Sequence, residues 1–124
     1  MAEINIFKHA SDALSLETGE ALFREGDQGD VMFAVVEGEI EVSRNGSVIE
    51  VVGPGGILGE LSLIDPAPRS AGAHARTPAR VVRVDQRQFT FLVHEHPTFA
   101  LQVMAVMAER LRKTTDVSTA NTSH

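Results

Sequence analysis

The chain contains no cysteine, which excludes disulfides, iron–sulfur clusters and thiolate zinc sites. It also lacks a basic excess: 17 acidic residues against 11 basic ones give a formal net charge of -6. Bulk nucleic-acid binding draws much of its affinity from neutralising phosphates, so this balance argues against it. No apolar run approaches the roughly 18 residues of a membrane span. The opening MAEINIFKHA has no long apolar segment behind a basic region, so no secretory signal is read there. Internal repeats and linker-like stretches are missing too. These absences leave a cytoplasmic protein without nucleic-acid or membrane partners as the expectation.

What is present suffices for one domain. The 124 residues are 43% hydrophobic, enough for a single core. Residues 4 to 10 (INIFKHA) read as a short helix with Ile4, Ile6 and Phe7 apolar. From residue 12 to about 84, short apolar runs alternate with glycine-rich punctuation, the texture of a β-sandwich or barrel. Val31 to Val36 is a continuous apolar run, suited to a strand buried on both faces. Asn45-Gly46 predicts a type I′ hairpin, because both residues accept positive φ. Two further strands are expected in residues 71 to 84. Asp85 with Gln88 predicts a capping box opening a helix with Phe89, Leu92 and Val93 on one face. Pro97 then opens a second helix, running to about Lys113. Residues 116 to 124 form a polar tail.

The stretch GELSLIDPAPRSA, residues 59–71, carries the chemistry. Gly59 allows a tight bend into a helical turn over Glu60, Leu61, Ser62 and Leu63, whose leading N–H groups attract an anion. Pro66 and Pro68 stiffen the return path, which delivers Arg69, then Ser70 and Ala71. Backbone donors, a hydroxyl and a guanidinium near one point make a phosphate site. The Glu60 carboxylate then accepts from hydroxyls such as those of ribose.

LGELSLIDPAPRSAGAHA resembles the phosphate-binding cassette of the cyclic nucleotide-binding domain family. GDQGDVMFAVVEG, about 30 residues upstream, is similar to that family's other signature. The resemblance covers roughly residues 4 to 115. It implies a mainly β (α+β) fold: an eight-stranded jelly-roll barrel with a short N-terminal helix and C-terminal helices. It places Glu60 on the ribose 2′-hydroxyl and Arg69 on the exocyclic phosphate oxygens. Ser70 and the N–H groups of Gly59 and Ala71 complete the cradle. Ile57 and Leu58 would lie near sugar and base, with Val48 and Val51 as weaker apolar candidates. ERLRKTTDV resembles the base-contacting end of the long helix in the catabolite-activator branch, with Thr114 and Thr115 at the matching place. That branch continues into a DNA-binding domain, whereas this sequence stops nine residues after Thr115. A stand-alone sensor is therefore expected, and no DNA-binding activity is carried over. Serine rather than threonine after the cassette arginine implies cAMP in preference to cGMP.

Other readings stand beside this one. Glu60 and Arg69 could be a surface ion pair, worth under about 1 kcal/mol. His94, Glu95 and His96 straddle a helix end and do not share a face, so a solvated terminus is expected there rather than a metal site. His74 on its strand reads as structural. Thr114 and Thr115 either touch a base or belong to a fraying helix. The broad apolar surface of the last helix serves the core alone or a homodimer or partner-protein face as well. With no nucleophile–base pair and no metal-ligand set, no enzymatic activity and no cofactor are expected. The rivals are a phosphodiesterase-like hydrolase and a dimerising adaptor whose ligand site is degenerate or takes no nucleotide.

Overall fold

In the computed structural model, residues 4–122 are described, with side chains described as far as Lys113. Two four-stranded sheets and a two-stranded ribbon make up the β structure. The first sheet has the order β1 (Leu14–Leu16), β10 (Ala79–Val84), β4 (Met32–Glu37), β7 (Ile57–Leu58). The second runs β2 (Ala21–Phe23), β9 (Gly72–Ala75), β5 (Ile40–Arg44), β6 (Ser47–Val52). The ribbon pairs β3 (Gln28–Gly29) with β8 (Ala67–Pro68). All pairings are antiparallel. This is the jelly-roll layout, divided into more and shorter strands than expected and with the sheets not closed into a barrel.

β4 sits at the centre of both layers of core. Phe33 and Val35 pack between the sheets with Leu16, Ile40, Val52, Leu58 and Val81. Met32 and Ala34, on the opposite face, pack under the helices with Val82, Val84, Phe99 and Val103. The unbroken apolar run of this strand follows from that double burial. The β5–β6 hairpin turns at Asn45 and Gly46, with φ of 52° and 80°, as a primed turn requires.

The helices are α1 (Leu61–Ile64), α2 (Gln86–Glu95) and α3 (Thr98–Thr122). At the start of α2 the Gln88 N–H donates to Asp85 Oδ1 at 2.8 Å and the Asp85 N–H to Gln88 Oε1 at 3.0 Å, completing the capping box. α3 continues beyond Lys113, so the stretch read as a polar tail is helical in backbone to Thr122. The expected N-terminal helix is instead a pair of turns, closed by bonds from Lys8 N–H to Asn5 O and from Ala10 N–H to Phe7 O. Ile4 and Phe7 reach the core without a regular helix, Phe7 edge-on to Phe99 at 5.8 Å.

Candidate functional site

Gly59 has φ +74°, a left-handed conformation that admits glycine readily. The chain there leaves β7 and enters α1. The Ser62 and Leu63 N–H groups are satisfied within that turn, by the Gly59 and Glu60 carbonyls. The return strand β8 pairs with β3, Gln28 facing Pro68 and Gly29 facing Ala67. The backbone of Arg69 is clamped at the end of this ribbon. Its N–H donates to Asp27 O at 2.6 Å, and its carbonyl accepts from Gly26 N–H at 2.8 Å. The two sequence signatures thus meet in space through main-chain bonds.

The Arg69 side chain is buried, at 8% exposure. Nη1 donates to Ser62 Oγ and Nη2 to Val31 O, each at 2.9 Å. Nε is buried and has no hydrogen-bond partner among the described residues. The guanidinium carbon lies 4.3 Å from the centre of the Phe23 ring, an attractive cation–π placement. Among the described residues no carboxylate comes within ion-pairing distance of it. Burial lowers its pKa, and the more distant Asp30 and Asp27 offset this in part. Arg69 is therefore a buried cation held by neutral acceptors, an arrangement that favours an incoming anion.

Glu60 is equally buried, at 5% exposure, but its partner is not Arg69. It accepts from Nη1 of Arg110, on α3. Arg110 also donates from Nε and Nη2 to the two carboxylate oxygens of Glu50, at 3.1 and 3.0 Å, and from Nη2 to Ile57 O at 2.6 Å. Burial alone would lower the Arg110 pKa; Glu50 and Glu60 outweigh it, and the net shift is upward. The alternative of a Glu60–Arg69 ion pair is thus set aside by the geometry.

A cavity of about 410 Å³ joins these groups, within the range of small-ligand sites. Of the residues singled out in the sequence, Leu58, Gly59, Glu60, Leu61, Arg69, Ser70 and Ala71 line it. Ile57 does not: its side chain is in the core under the helices, and only its carbonyl faces Arg110. Val48 and Val51 are also off the cavity wall, where Ile49 and Glu50 stand instead. For Val48 the reason is a β-bulge: Val42 pairs with Glu50 and Ser43 with Val48, leaving Ile49 unmatched, so Val48 is out of phase with Glu50. Val51, in regular register, alternates with the buried Val52 and faces away from it. Ser70 is held by Arg44, whose Nε donates to its carbonyl at 2.9 Å.

Arg110, Glu50, Phe23, Ser62 and Arg44 were not foreseen. The only signal for Arg110 was its place one turn before Thr114; in sequence it looks like any basic residue near a helix end. Thr114 and Thr115 continue α3, but their side chains lie outside the described residues. His94 pairs with Glu95 at 3.1 Å on the exposed end of α2, and His74 with Glu41 at 3.5 Å on β9. Among the described residues no cluster of three or more potential ligands could hold a metal, and no helix is long and apolar enough to cross a membrane.

Comparison with known proteins gives this geometry a context. Residues 13–96 match the family model described as "Cyclic nucleotide-binding domain". A CRP-like cAMP-activated global transcriptional regulator from Mycobacterium tuberculosis is 31% identical over 101 residues, covering 77% of this chain and 45% of that protein. The crystal structure of the Thermus thermophilus catabolite activator protein superposes with a TM-score of 0.78 at 28% identity, over 90% of this chain and 54% of that one. The N-terminal domain of a transcriptional regulator from Streptomyces coelicolor matches with a TM-score of 0.63 at 34% identity, over 85% and 76% of the two chains. The chain spans about half the length of the mycobacterial and Thermus proteins.

Proposed function

Because the chain belongs to the cyclic nucleotide-binding domain family, we propose that it is a cyclic-nucleotide receptor that binds its ligand without turning it over. The observation that carries this reading is Arg69, a buried guanidinium that has, among the described residues, no carboxylate in contact and one unpartnered donor, and that opens on a cavity of about 410 Å³. A cyclic phosphate supplies the missing negative charge. Arg69 now donates to two neutral acceptors; phosphate oxygens would offer it acceptors of opposite charge and a paired contact that matches the guanidinium. The N–H groups of Gly59 and Ala71 and the Ser70 hydroxyl complete the cradle. Glu60 accepts from the ribose 2′-hydroxyl. Leu58, Val42 and Ile49 offer the apolar wall for the base, in place of Val48 and Val51.

cAMP is the preferred ligand in this reading, supported by serine at position 70. The output is a shift of α3. Two physical links support it. Glu60, which meets the ligand, is bonded to Arg110 on α3. The cassette helix α1 is tied to α2 by Gln86 Nε2 donating to Leu63 O at 3.2 Å, and α2 packs on α3 through Phe89 and Phe99 at 5.3 Å. The ligand biases α3 only by the difference in its affinity for the two positions.

α3 also supports the partner role. Leu101, Met104 and Ala108 are exposed at alternating spacings of three and four, the apolar seam of a two-helix interface. A homodimer through this seam is the proposed assembly. Isothermal titration with cAMP and cGMP, with chromatography of the nucleotide afterwards, tests the function. Saturable heat with intact nucleotide supports a receptor; linear nucleotide would make it a hydrolase; no heat with either ligand would leave the adaptor.

A further inference from the structure

Glu50 is an acid on the wall of a cavity proposed for an anionic ligand, a placement that needs a reason. Its bonding suggests one. A guanidinium has five N–H donors, and its strongest mode is the two-bond fork on a single carboxylate. On Arg110 that fork, Nε with Nη2, is occupied by Glu50 at 3.1 and 3.0 Å. A further Nη2 bond goes to Ile57 O. Glu60 receives only Nη1, on Oε1. Among the described residues nothing donates to Glu60 Oε2.

The division of one guanidinium between two carboxylates has a consequence for Glu60. Its single bond balances its charge, while its second oxygen keeps its acceptor sites for a ligand hydroxyl. Without Glu50, Glu60 is the carboxylate left to Arg110 among the described residues, and the guanidinium forks onto both of its oxygens. That closed pair is a poor acceptor for a sugar hydroxyl. We infer that Glu50 is a positioning residue that sets sugar specificity: by occupying the Arg110 fork it keeps one Glu60 oxygen open to the ligand's 2′-hydroxyl. This inference rests on the nucleotide-receptor reading and deepens it. The same pairing explains why an acid is tolerated there, since Glu50 faces the phosphate-seeking cavity already neutralised.

The test compares cAMP and 2′-deoxy-cAMP by isothermal titration on the parent, Glu50→Gln and Glu50→Asp. A charge-assisted hydrogen bond of about 1.5–3 kcal/mol corresponds to roughly 10- to 150-fold discrimination against the deoxy ligand in the parent. In Glu50→Gln that ratio falls to within about threefold, with affinity lost for cAMP and little changed for the deoxy ligand. Glu50→Asp restores part of the ratio. Equal weakening of both ligands with the ratio intact would assign Glu50 a structural role and overturn the inference. A ligand-free measurement separates this failure from failure of the receptor reading. In thermal unfolding, the coupling between Arg110→Gln and Glu60→Gln rises in the Glu50→Gln background if Arg110 moves its fork to Glu60. Unchanged coupling overturns the inference even if no cyclic nucleotide binds; no binding by the parent overturns the receptor reading whatever the coupling.

Discussion

Gly29 lies so close to Arg69 that a Cβ added to it would stand 2.7 Å from Arg69 Nε and 2.8 Å from Ser62 Oγ. The contact is steric, because the φ of Gly29 is not positive. Alanine fits the backbone there and fails only for want of room beneath the guanidinium. Gly29→Ala is therefore expected to displace Arg69 from its seat on Phe23. The overpacking cost of about 1–3 kcal/mol should emerge as roughly a 5- to 150-fold loss of cAMP affinity, with the far-ultraviolet circular dichroism of the parent retained. Parent-like affinity in calorimetry would show that Arg69 does not depend on this seat.

Arg69→Ala should cost more, about 2–5 kcal/mol of binding free energy, since the phosphate charge then loses its partner in a partly dry site. Arg69→Lys should not recover most of it, because an ammonium cannot span two phosphate oxygens. The ligand-free protein should also lose about 1–3 kcal/mol of stability, as Val31 O is left without its donor. Chemical denaturation read alongside calorimetry checks both. Equal binding by Arg69→Ala and parent would remove the phosphate role.

Much of the site was legible in the sequence because it is local. Gly59, Glu60, Arg69, Ser70 and Ala71 lie within one short loop whose glycine and prolines dictate its path. The hairpin at Asn45-Gly46 and the capping box at Asp85 are local in the same sense. What could not be read was non-local or out of phase. Arg110 meets Glu60 and Glu50 only because α3 folds back over the sheet edge, 50 and 60 residues away along the chain. The resemblance offers Val48 and Val51 for the apolar wall, but the bulge at Ile49 puts Val48 out of phase with Glu50 and Val52, and Val51 alternates with Val52 onto the opposite face. The resemblance puts Ile57 with Leu58 near sugar and base, but as neighbours on a strand their side chains face opposite layers, and that of Ile57 is under the helices. At the N-terminus, apolar residues that suit a helix are placed by two turns, since burying Ile4 and Phe7 requires nothing longer.

Glu60→Gln should weaken cAMP binding by about 1–2 kcal/mol, less than the arginine change, because the amide oxygen still accepts one hydrogen bond. The variant also leaves Arg110 paired through Glu50, so α3 should stay docked. Discrimination between cAMP and 2′-deoxy-cAMP should narrow. A parent that binds the two equally well would show that Glu60 does not read the sugar.

α3 is bonded to the cassette through Arg110 and packed on α2 through Phe99, so a ligand that alters Glu60 acts on a helix whose other face is exposed. That face carries Leu101 at 66% and Met104 at 53% exposure, apolar surface that a monomer gains nothing by presenting. Burying it against a second copy removes it from water and gives the helix a reference against which it can move. Met104→Glu places a charge in the middle of this seam without touching the cavity. It is expected to raise the dimer dissociation constant about 30-fold or more, the scale of an interface hot spot, in sedimentation velocity over a concentration series. cAMP affinity should change little. In the parent, saturating cAMP should increase hydrogen-exchange protection in residues 100–113 as well as in 57–71. Protection confined to 57–71, together with a Met104→Glu sedimentation profile identical to the parent's, would mean that the nucleotide is held without α3 carrying a signal.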